Sequence, residues 1–598
     1  MTTTLAEICE MTPGFAFKSK DFGDYPDKVV KITQINPPTV NMENLQGVDL
    51  SGYNKEKLKK YSAENIWNEY CGFLDLSMDE YMNIQTRLME EQIFMWENCE
   101  LGKKLLNGKR PHSIEEFREM VPLTTYEDYA DVLLQKRGDM LPDTPIIWIQ
   151  TTWEGGRHPV KVAPYTQGML NTYKNNILAC MLLCTSNEKG KYSATATDTM
   201  LYGLAPLPYA TGLVPRALDD EISAQFLPPF EEAEKLSFSE RNKLGFKMGM
   251  SKGIDFFFGL GSVAYYVSKS FSRMTSAQPG KKHNIKGNRI SPKFMAKYMM
   301  AKHKCKKEGR EILPKDLFEL KGFMVAGTDN NCYKDELEEL WGVRPMELFA
   351  GTEPSIIGTE TWTREGMYFF PDTCFYEFIP EEEMNRNLED KTYQPRTCLM
   401  DEVMPGEKYE IVISVLKGGA FMRYRVGDVY RCVGLKSSQD QTKIPRFVYI
   451  DRVADIIDIA GFTRITENAI QTVVDLSGLD IVEWVAAKEF TQDNKPFMHM
   501  YVELSTDSIA SSAVSKEILK EHLTVYFKYV DHDYKDLKVI LGMDPLEITV
   551  LKCGTFAEYS KHHPEKMRKI NPQPHQIKEL MLLQEQVYML HREEMLYE

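Results

Sequence analysis

Cations, paired glycines, carboxylates and hydroxyls recur in four short segments of this 598-residue chain. In "IWIQTTWEGGRHPVKVAP" an apolar run at residues 146–150 feeds a polar turn holding Thr151, Thr152, Gly155, Gly156, Arg157 and Lys161. Backbone N–H groups and positive charge that converge after a strand can hold phosphate. Trp153 and Glu154 sit inside the same turn, and a carboxylate there opposes phosphate unless a metal or Arg157 neutralises it. In "ELFAGTEP", Gly351, Thr352 and Glu353 follow a strand-like run, and the carboxylate could hold a magnesium ion through one oxygen. "MRYRVGDVYR" places Arg425, Gly427 and Asp428 in one turn, where an acidic residue could accept hydrogen bonds from both hydroxyls of a ribose. "IDRVADIIDIAGFTRITE" carries Asp451 and Arg452, then Gly461 at a strand end, then Thr466 and Glu467. Taken singly each is ordinary: a GTE tripeptide is most often a solvated turn, and an Arg–Asp pair in a hairpin turn contributes little at a surface. Their order on one chain points to a composite site, because ligands of open α/β sheets bind beyond the carboxyl ends of the strands.

Other chemistries find less support. The eleven cysteines are scattered, and the closest pair, Cys180 and Cys184 in "ACMLLC", reads as two core residues one helical turn apart. A zinc site needs further ligands at characteristic spacing. His562 and His563 are adjacent and so point in different directions. With 87 acidic and 72 basic residues the net charge is −15, which argues against a general nucleic-acid or anionic-membrane binder and leaves room for a local basic pocket. The N-terminal "MTTTLAEICEMTPGF" shows no secretory pattern, so a cytoplasmic protein with reduced thiols is expected. "IDFFFGLGSVAYYVSKSF" is broken by Asp255, two glycines and Lys269; it reads as a buried or partner-facing helix pair and not as a membrane span.

The elements that must position these segments read as an α/β protein of two domains, as the length requires. Residues 62–130 are rich in helical signals, with Ser77 and Asp79 near a helix start. From residue 146 onward short β-rich runs alternate with helical patterns: "TDTMLYGLAPLP", "LKGFMVAGT", "ELFAGTE" and "YFF…CFYEFIP". The Met- and Lys-rich block at about 230–310 has no strong strand signal and reads as a helical insertion. "YEIVISVLKGGAFMRYRVGDVYRCVG" and "RFVYIDRVADIIDIAGF" read as paired strands. After Arg452 a compact α+β unit begins, which divides the chain into a large domain at 1–450 and a small cap domain at 451–598.

The order of a glycine-containing loop, aromatic-x-G-T-E, Y-R-x-G-D and D-R-x-x-D-x-I-x-x-x-G is similar to the acyl-adenylate-forming superfamily of firefly luciferase and the acyl-CoA synthetases. More closely, "VPLTTYEDY", "YFF…YEFIP", "MRYRVGDVYR" and "GTFAEY" resemble the Gretchen Hagen type (auxin-responsive) acyl acid amido synthetases. The resemblance implies a mobile C-terminal domain and a two-step reaction that uses ATP and Mg2+: a carboxylic acid is adenylated, then an amine or amino acid, or CoA in the ligase relatives, displaces AMP. It implies that Glu353 helps hold the metal, that Gly351 and Thr352 line the nucleotide site, that Phe349 lies where an aromatic stacks near adenine, and that Asp428 binds the ribose. By the same resemblance Arg425 and Arg452 contact nucleotide or phosphate, and Asp451–Arg452 is the hinge. Thr151, Thr152, Gly155, Gly156 and Lys161 lie over the family's phosphate loop, from which Trp153 and Glu154 depart by replacing a glycine and a hydroxyl. Lys569 in "MRKINPQPHQIKEL" is the candidate for the catalytic lysine of the C-terminal domain, with Lys578 the alternative. Tyr209 in "GLAPLPYATG", with Tyr202 and Gly327, marks the expected acyl pocket. The expected activity is acyl acid amido synthesis; an acyl-CoA ligase and a nucleotide-binding homologue that has lost adenylation are the alternatives, all without a nucleic-acid partner.

Overall fold

The computed structural model describes residues 57–151, 158, 160–222, 224–236, 238–276, 292–461, 463–505, 509–530, 538, 541–563 and 567–597. The large part of the chain is organised by a seven-stranded sheet in the order Tyr368–Phe369, Ser355–Thr359, Met346–Gly351, Gly322–Ala326, Phe256–Leu260, Thr199–Gly203, Gln225–Leu227. Neighbours from Met346–Gly351 to Gln225–Leu227 are parallel, whereas Ser355–Thr359 pairs antiparallel with both Met346–Gly351 and Tyr368–Phe369. Parallel strands are covered on both faces, so their residues are apolar without alternation. Phe256 and Phe258 join the core under the Gln167–Cys184 helix, and Phe257 joins a second core with Phe246, Phe271 and Trp341 on the other face. Cys180 and Cys184 are both buried in the first of these cores.

The block at 230–310 therefore differs from the expected helical insertion. Its helices Phe238–Lys252, Gly261–Ser276 and Pro292–Glu308 are there, but the Phe256–Leu260 strand sits in the middle of the sheet. A fully buried parallel strand and a buried helix segment carry the same unbroken apolar signal, and only pairing with Thr199–Gly203 and Gly322–Ala326 separates them. Among the described residues no helix is long and apolar enough to cross a membrane.

A four-stranded antiparallel sheet, Cys374–Pro380, Lys408–Val415, Tyr424–Gly434 and Arg446–Arg452, packs beside the first. Stacked rings join the two: Phe447 lies 5.0 Å from Phe369 and 5.3 Å from Phe378. The helix Met78–Glu97 begins at a reciprocal cap between Ser77 and Glu80. It ties down the antiparallel sheet through Trp96 Nε1, which donates to the Gly419 carbonyl at 2.9 Å.

After Arg452 come a ribbon of Ile456–Ile459 and Thr463–Thr466, the helix Glu467–Ser477, and a three-stranded sheet of Ile481–Phe490, Pro496–Leu504 and Leu546–Leu551. Thr466 caps that helix by accepting from the Ala469 N–H, so the Thr466–Glu467 pair is a helix start. This unit has its own core, from Ile457 to Ile570.

Candidate active site

The strand Ile147–Gln150 pairs antiparallel with Val162–Tyr165, Gln150 opposite Val162, so the glycine-containing loop is the tip of a β-hairpin. Thr151 and Lys161 close its base: the Thr151 N–H donates to the Lys161 carbonyl, and the Lys161 N–H donates to Thr151 Oγ1, both at 3.0 Å. Thr152, Gly155 and Gly156, with Trp153, Glu154 and Arg157, lie outside the described residues.

From the hairpin base Lys161 reaches inward. Its ammonium lies 3.6 Å from Glu353 Oε1, 3.4 Å from the Tyr424 hydroxyl and 5.6 Å from the centre of the Tyr126 ring. Tyr424 in turn donates to Glu353 Oε1 at 2.7 Å, and Glu353 is only 6% exposed. Tyr126 is fixed by donating to the Val162 carbonyl and accepting from the Val162 N–H, and Tyr165 donates to the Thr352 carbonyl at 2.9 Å. Three distant segments thus converge on one buried carboxylate, with a cation and a hydroxyl on the same oxygen. At Gly351 a Cβ would fall 2.9 Å from Pro354, which explains the small residue before Thr352.

Farther along the same strand, Asp428 Oδ1 accepts from Arg452 Nη1 at 2.9 Å, and Arg452 Nη2 donates to the Val426 carbonyl at 2.6 Å. Gly427 has φ 82°, and a Cβ there would lie 3.1 Å from Arg452, so glycine is required on two grounds. Phe349 meets Tyr430 edge to face at 5.4 Å. Arg425 is held elsewhere. Strand alternation turns it away from its neighbour Tyr424, and it pairs with both oxygens of Glu410 at 2.7 and 2.6 Å and with Asn387. The structure groups Thr151, Lys161, Thr352 and Glu353, pairs Asp428 with Arg452, and leaves Arg425 in a structural ion pair.

The C-terminal unit docks through a cluster centred on Lys488, which no motif announced. Gly327, with φ 98°, begins a turn in which Thr328 donates to Asp458 Oδ1 at 2.7 Å and Asp329 Oδ2 accepts from the Ala460 N–H at 3.0 Å. Lys488, on the strand Ile481–Phe490, donates to Asp329 at 2.7 Å and to Asp451 at 3.1 Å. Burial pushes the Asp329 carboxyl up to about 6 in spite of Lys488. Burial also works against the Lys488 ammonium, but Asp329, Asp451 and Asp458 outweigh it and hold its pKa above the ordinary lysine value. Lys569 stays within its own unit: its ammonium meets Glu483 and lies 4.6 Å over the Trp484 ring, and its carbonyl accepts from the Ala486 N–H. Lys578 is exposed on the helix Pro574–Tyr597.

Of the expected acyl-pocket residues, Tyr202 is buried edge-on against Phe226 with the Arg241 guanidinium 5.5 Å over its ring, a core position. Tyr209 follows Pro208, whose carbonyl accepts from the Gln150 N–H at 3.0 Å, so this segment is tied to the hairpin. Tyr424, Tyr126, Tyr165 and Lys488 are the site residues that sequence reasoning missed. Only Tyr424 left a legible signal, since strand alternation puts it and Arg425 on opposite faces.

The GH3 family N-terminal domain matches residues 71–212 and the GH3 family central domain matches residues 367–463. The first spans the hairpin and the second spans Tyr424, Asp428 and Arg452, in the family's order along the chain. Two stretches of the chain thus match domains of the GH3 family. Among curated GH3 proteins, an indole-3-acetic acid-amido synthetase of Arabidopsis thaliana is 27% identical over 192 residues, 32% of this chain and 31% of that protein. A jasmonoyl–L-amino acid synthetase of Oryza sativa subsp. japonica is 26% identical over 205 residues, 32% of this chain and 33% of its own length. The chain thus spans about a third of the length of the curated relatives it matches. In fold it is similar to a GH3 acyl acid amido synthetase solved in complex with 2,4-DB, with a TM-score of 0.50 at 15% identity over 88% of this chain and 97% of the other. It is also similar to a 2-hydroxyisobutyryl-CoA ligase, with a TM-score of 0.51 at 15% identity over 80% and 87%. The architecture of this chain is accordingly the two-domain α/β fold that these two structures share. Glu353 lies between the two matched regions, and Lys488 and Lys569 lie beyond the second.

Proposed function

We propose that this chain is an ATP-dependent ligase that converts a small carboxylic acid to its acyl-adenylate and passes the acyl group to an amine or amino acid. The convergence of Lys161, Tyr424 and Glu353 at the base of the hairpin carries the reading, because it assembles the groups that phosphoryl transfer needs. Such transfer is mainly positioning and neutralisation of charge. In the first step a carboxylate oxygen attacks the α-phosphorus and the bond to pyrophosphate breaks; in the second an amine attacks the acyl carbon, loses a proton and expels AMP. Lys161 supplies positive charge where the phosphates enter, and Tyr424 orients the Glu353 carboxylate toward them. Glu353 offers one carboxylate, the donor that magnesium takes when substrate phosphates and water complete its shell, and the ion would neutralise pyrophosphate as it leaves. Asp428 and Arg452 would take the ribose side, with Phe349 near the base. Lys569 would enter when the C-terminal unit turns, the kind of motion that completes an active site between two steps.

Pyrophosphate release measured across a panel of carboxylic acids tests the first step, and addition of amino acids or CoA to the stimulating acid tests the acceptor. If no acid in a broad panel stimulates release, the ligase reading fails. If CoA and no amine consumes the adenylate, the acceptor assignment fails while adenylation stands.

A further inference from the structure

The helix Pro292–Glu308, "PKFMAKYMMAKHKCKKE", has six lysines and one glutamate, and the sequence has no acidic residue at all from 256 to 307. In a chain of net charge −15 this is a strong local reversal of sign. Phe294, Tyr298, Ala301 and Cys305 form a stripe at helical spacing, with Ala301 and Cys305 buried and Phe294 and Tyr298 packed beside Phe318 and Trp341. The rest of the surface faces outward and divides lengthwise. Met295, Met299 and Met300 are 46%, 58% and 67% exposed on the N-terminal half, and Lys302, Lys304, Lys306 and Lys307 are exposed on the C-terminal half. Within the N-terminal half Lys297 pairs with exposed Glu319 at 3.1 Å.

We infer that this helix is a docking face for an anionic membrane surface. Three exposed methionines beside a lysine cluster cost the isolated protein apolar hydration and like-charge repulsion, and an anionic bilayer relieves both. The choice of side chains sets the partner. Arginine forks fit a fixed carboxylate pair, whereas lysine is a mobile point charge, and the helix has six lysines and no arginine. Methionine is unbranched and carries no directional polar group. The face therefore specifies charge and apolarity without geometry, which suits a fluid layer of acidic headgroups better than a folded acidic protein. The acidity of the remaining chain does not forbid docking, because charges more than about 10 Å away are screened at ordinary ionic strength. The inference is independent of the proposed ligase reaction.

Co-sedimentation of the full chain with phosphatidylcholine vesicles, with and without about 30 mol% phosphatidylserine, tests it. Binding should require phosphatidylserine and fall steeply between about 0.1 M and about 1 M salt. Replacing Lys302, Lys304, Lys306 and Lys307 together by Gln should weaken binding at least about a hundredfold, given a few-fold per lysine. Replacing Met295, Met299 and Met300 by Ser should weaken it about tenfold with the salt dependence kept. These side chains are exposed, and circular dichroism checks that both variants stay folded. The inference is overturned if the wild-type chain ignores phosphatidylserine vesicles at low salt, if neither variant changes binding, or if polyglutamate binds this helix while vesicles do not.

Discussion

Replacing Lys488 by Met should loosen the C-terminal unit strongly at neutral pH and much less in mild acid. Lys488 is almost wholly buried between Asp329 and Asp451, and Asp329 is buried as well. Removing one partner of a buried pair leaves the other charge uncompensated, at a cost of about 3–5 kcal/mol. The cost depends on Asp329 being ionised, and its carboxyl titrates at about 6, above its ordinary value. Between about pH 4 and pH 6 the folded chain holds a proton on Asp329 that the unfolded chain has released, so this group's contribution to stability is present in acid and lost as pH rises through 6. At about pH 5 most Asp329 is already neutral and has little need of Lys488, so the penalty should fall by half or more. Urea denaturation of the wild type and Lys488→Met at about pH 7.5 and about pH 5 measures this directly. Hydrogen exchange gives the local view: the Ala460 amide, which donates to Asp329, should exchange roughly a hundredfold faster in the variant at neutral pH, the equivalent of about 3 kcal/mol. Adding Asp329→Asn to Lys488→Met should restore much of the loss, because removing both charges of a buried pair is close to neutral. Equal penalties at the two pH values, or a double variant as weak as the sum of the singles, would refute this account of the docking cluster.

Tyr424→Phe deletes the hydroxyl that donates to Glu353 and keeps the ring, so acid-dependent pyrophosphate release should fall about tenfold or more with the melting temperature nearly unchanged. An unchanged rate would remove Tyr424 from the site. Arg425→Met should act on stability, costing about 3–5 kcal/mol because it strands buried Glu410, while Asp428→Asn should act on the nucleotide, raising the KM for ATP about tenfold or more. The reverse pattern would put Arg425 back in the nucleotide site. Lys569→Met should slow adenylate formation at least about a hundredfold and leave transfer from preformed acyl-adenylate largely intact; equal loss in both steps would count against delivery by rotation.

The segments of the candidate site were legible as short polar stretches in a fixed order along the chain. "FAGTE" and "YRVGD" carry glycine where space is short or φ is positive, which is a local demand, whereas the turn expected at Arg425, Gly427 and Asp428 is instead part of the strand Tyr424–Gly434. The capped start of the helix Met78–Glu97 is local in the same sense, since Ser77 and Glu80 are a turn apart. What could not be read is what depends on partners far along the chain. "FFFGL" has the same apolar signal as a helix segment or as a strand until pairing with Thr199–Gly203 and Gly322–Ala326 decides it. Strand alternation tells that Arg425 and Tyr424 face opposite sides, but only the positions of Glu410 and Glu353 decide which side is a structural pair and which the candidate site. Lys488 belongs to no motif and acquires a role because the fold sets Asp329, 159 residues away, 2.7 Å from its ammonium. Residue types, their order and several local turns are written in the chain; which charges meet is set by the fold, because Coulomb and hydrogen-bond energies depend on distances of a few ångströms that spacing along a chain does not set.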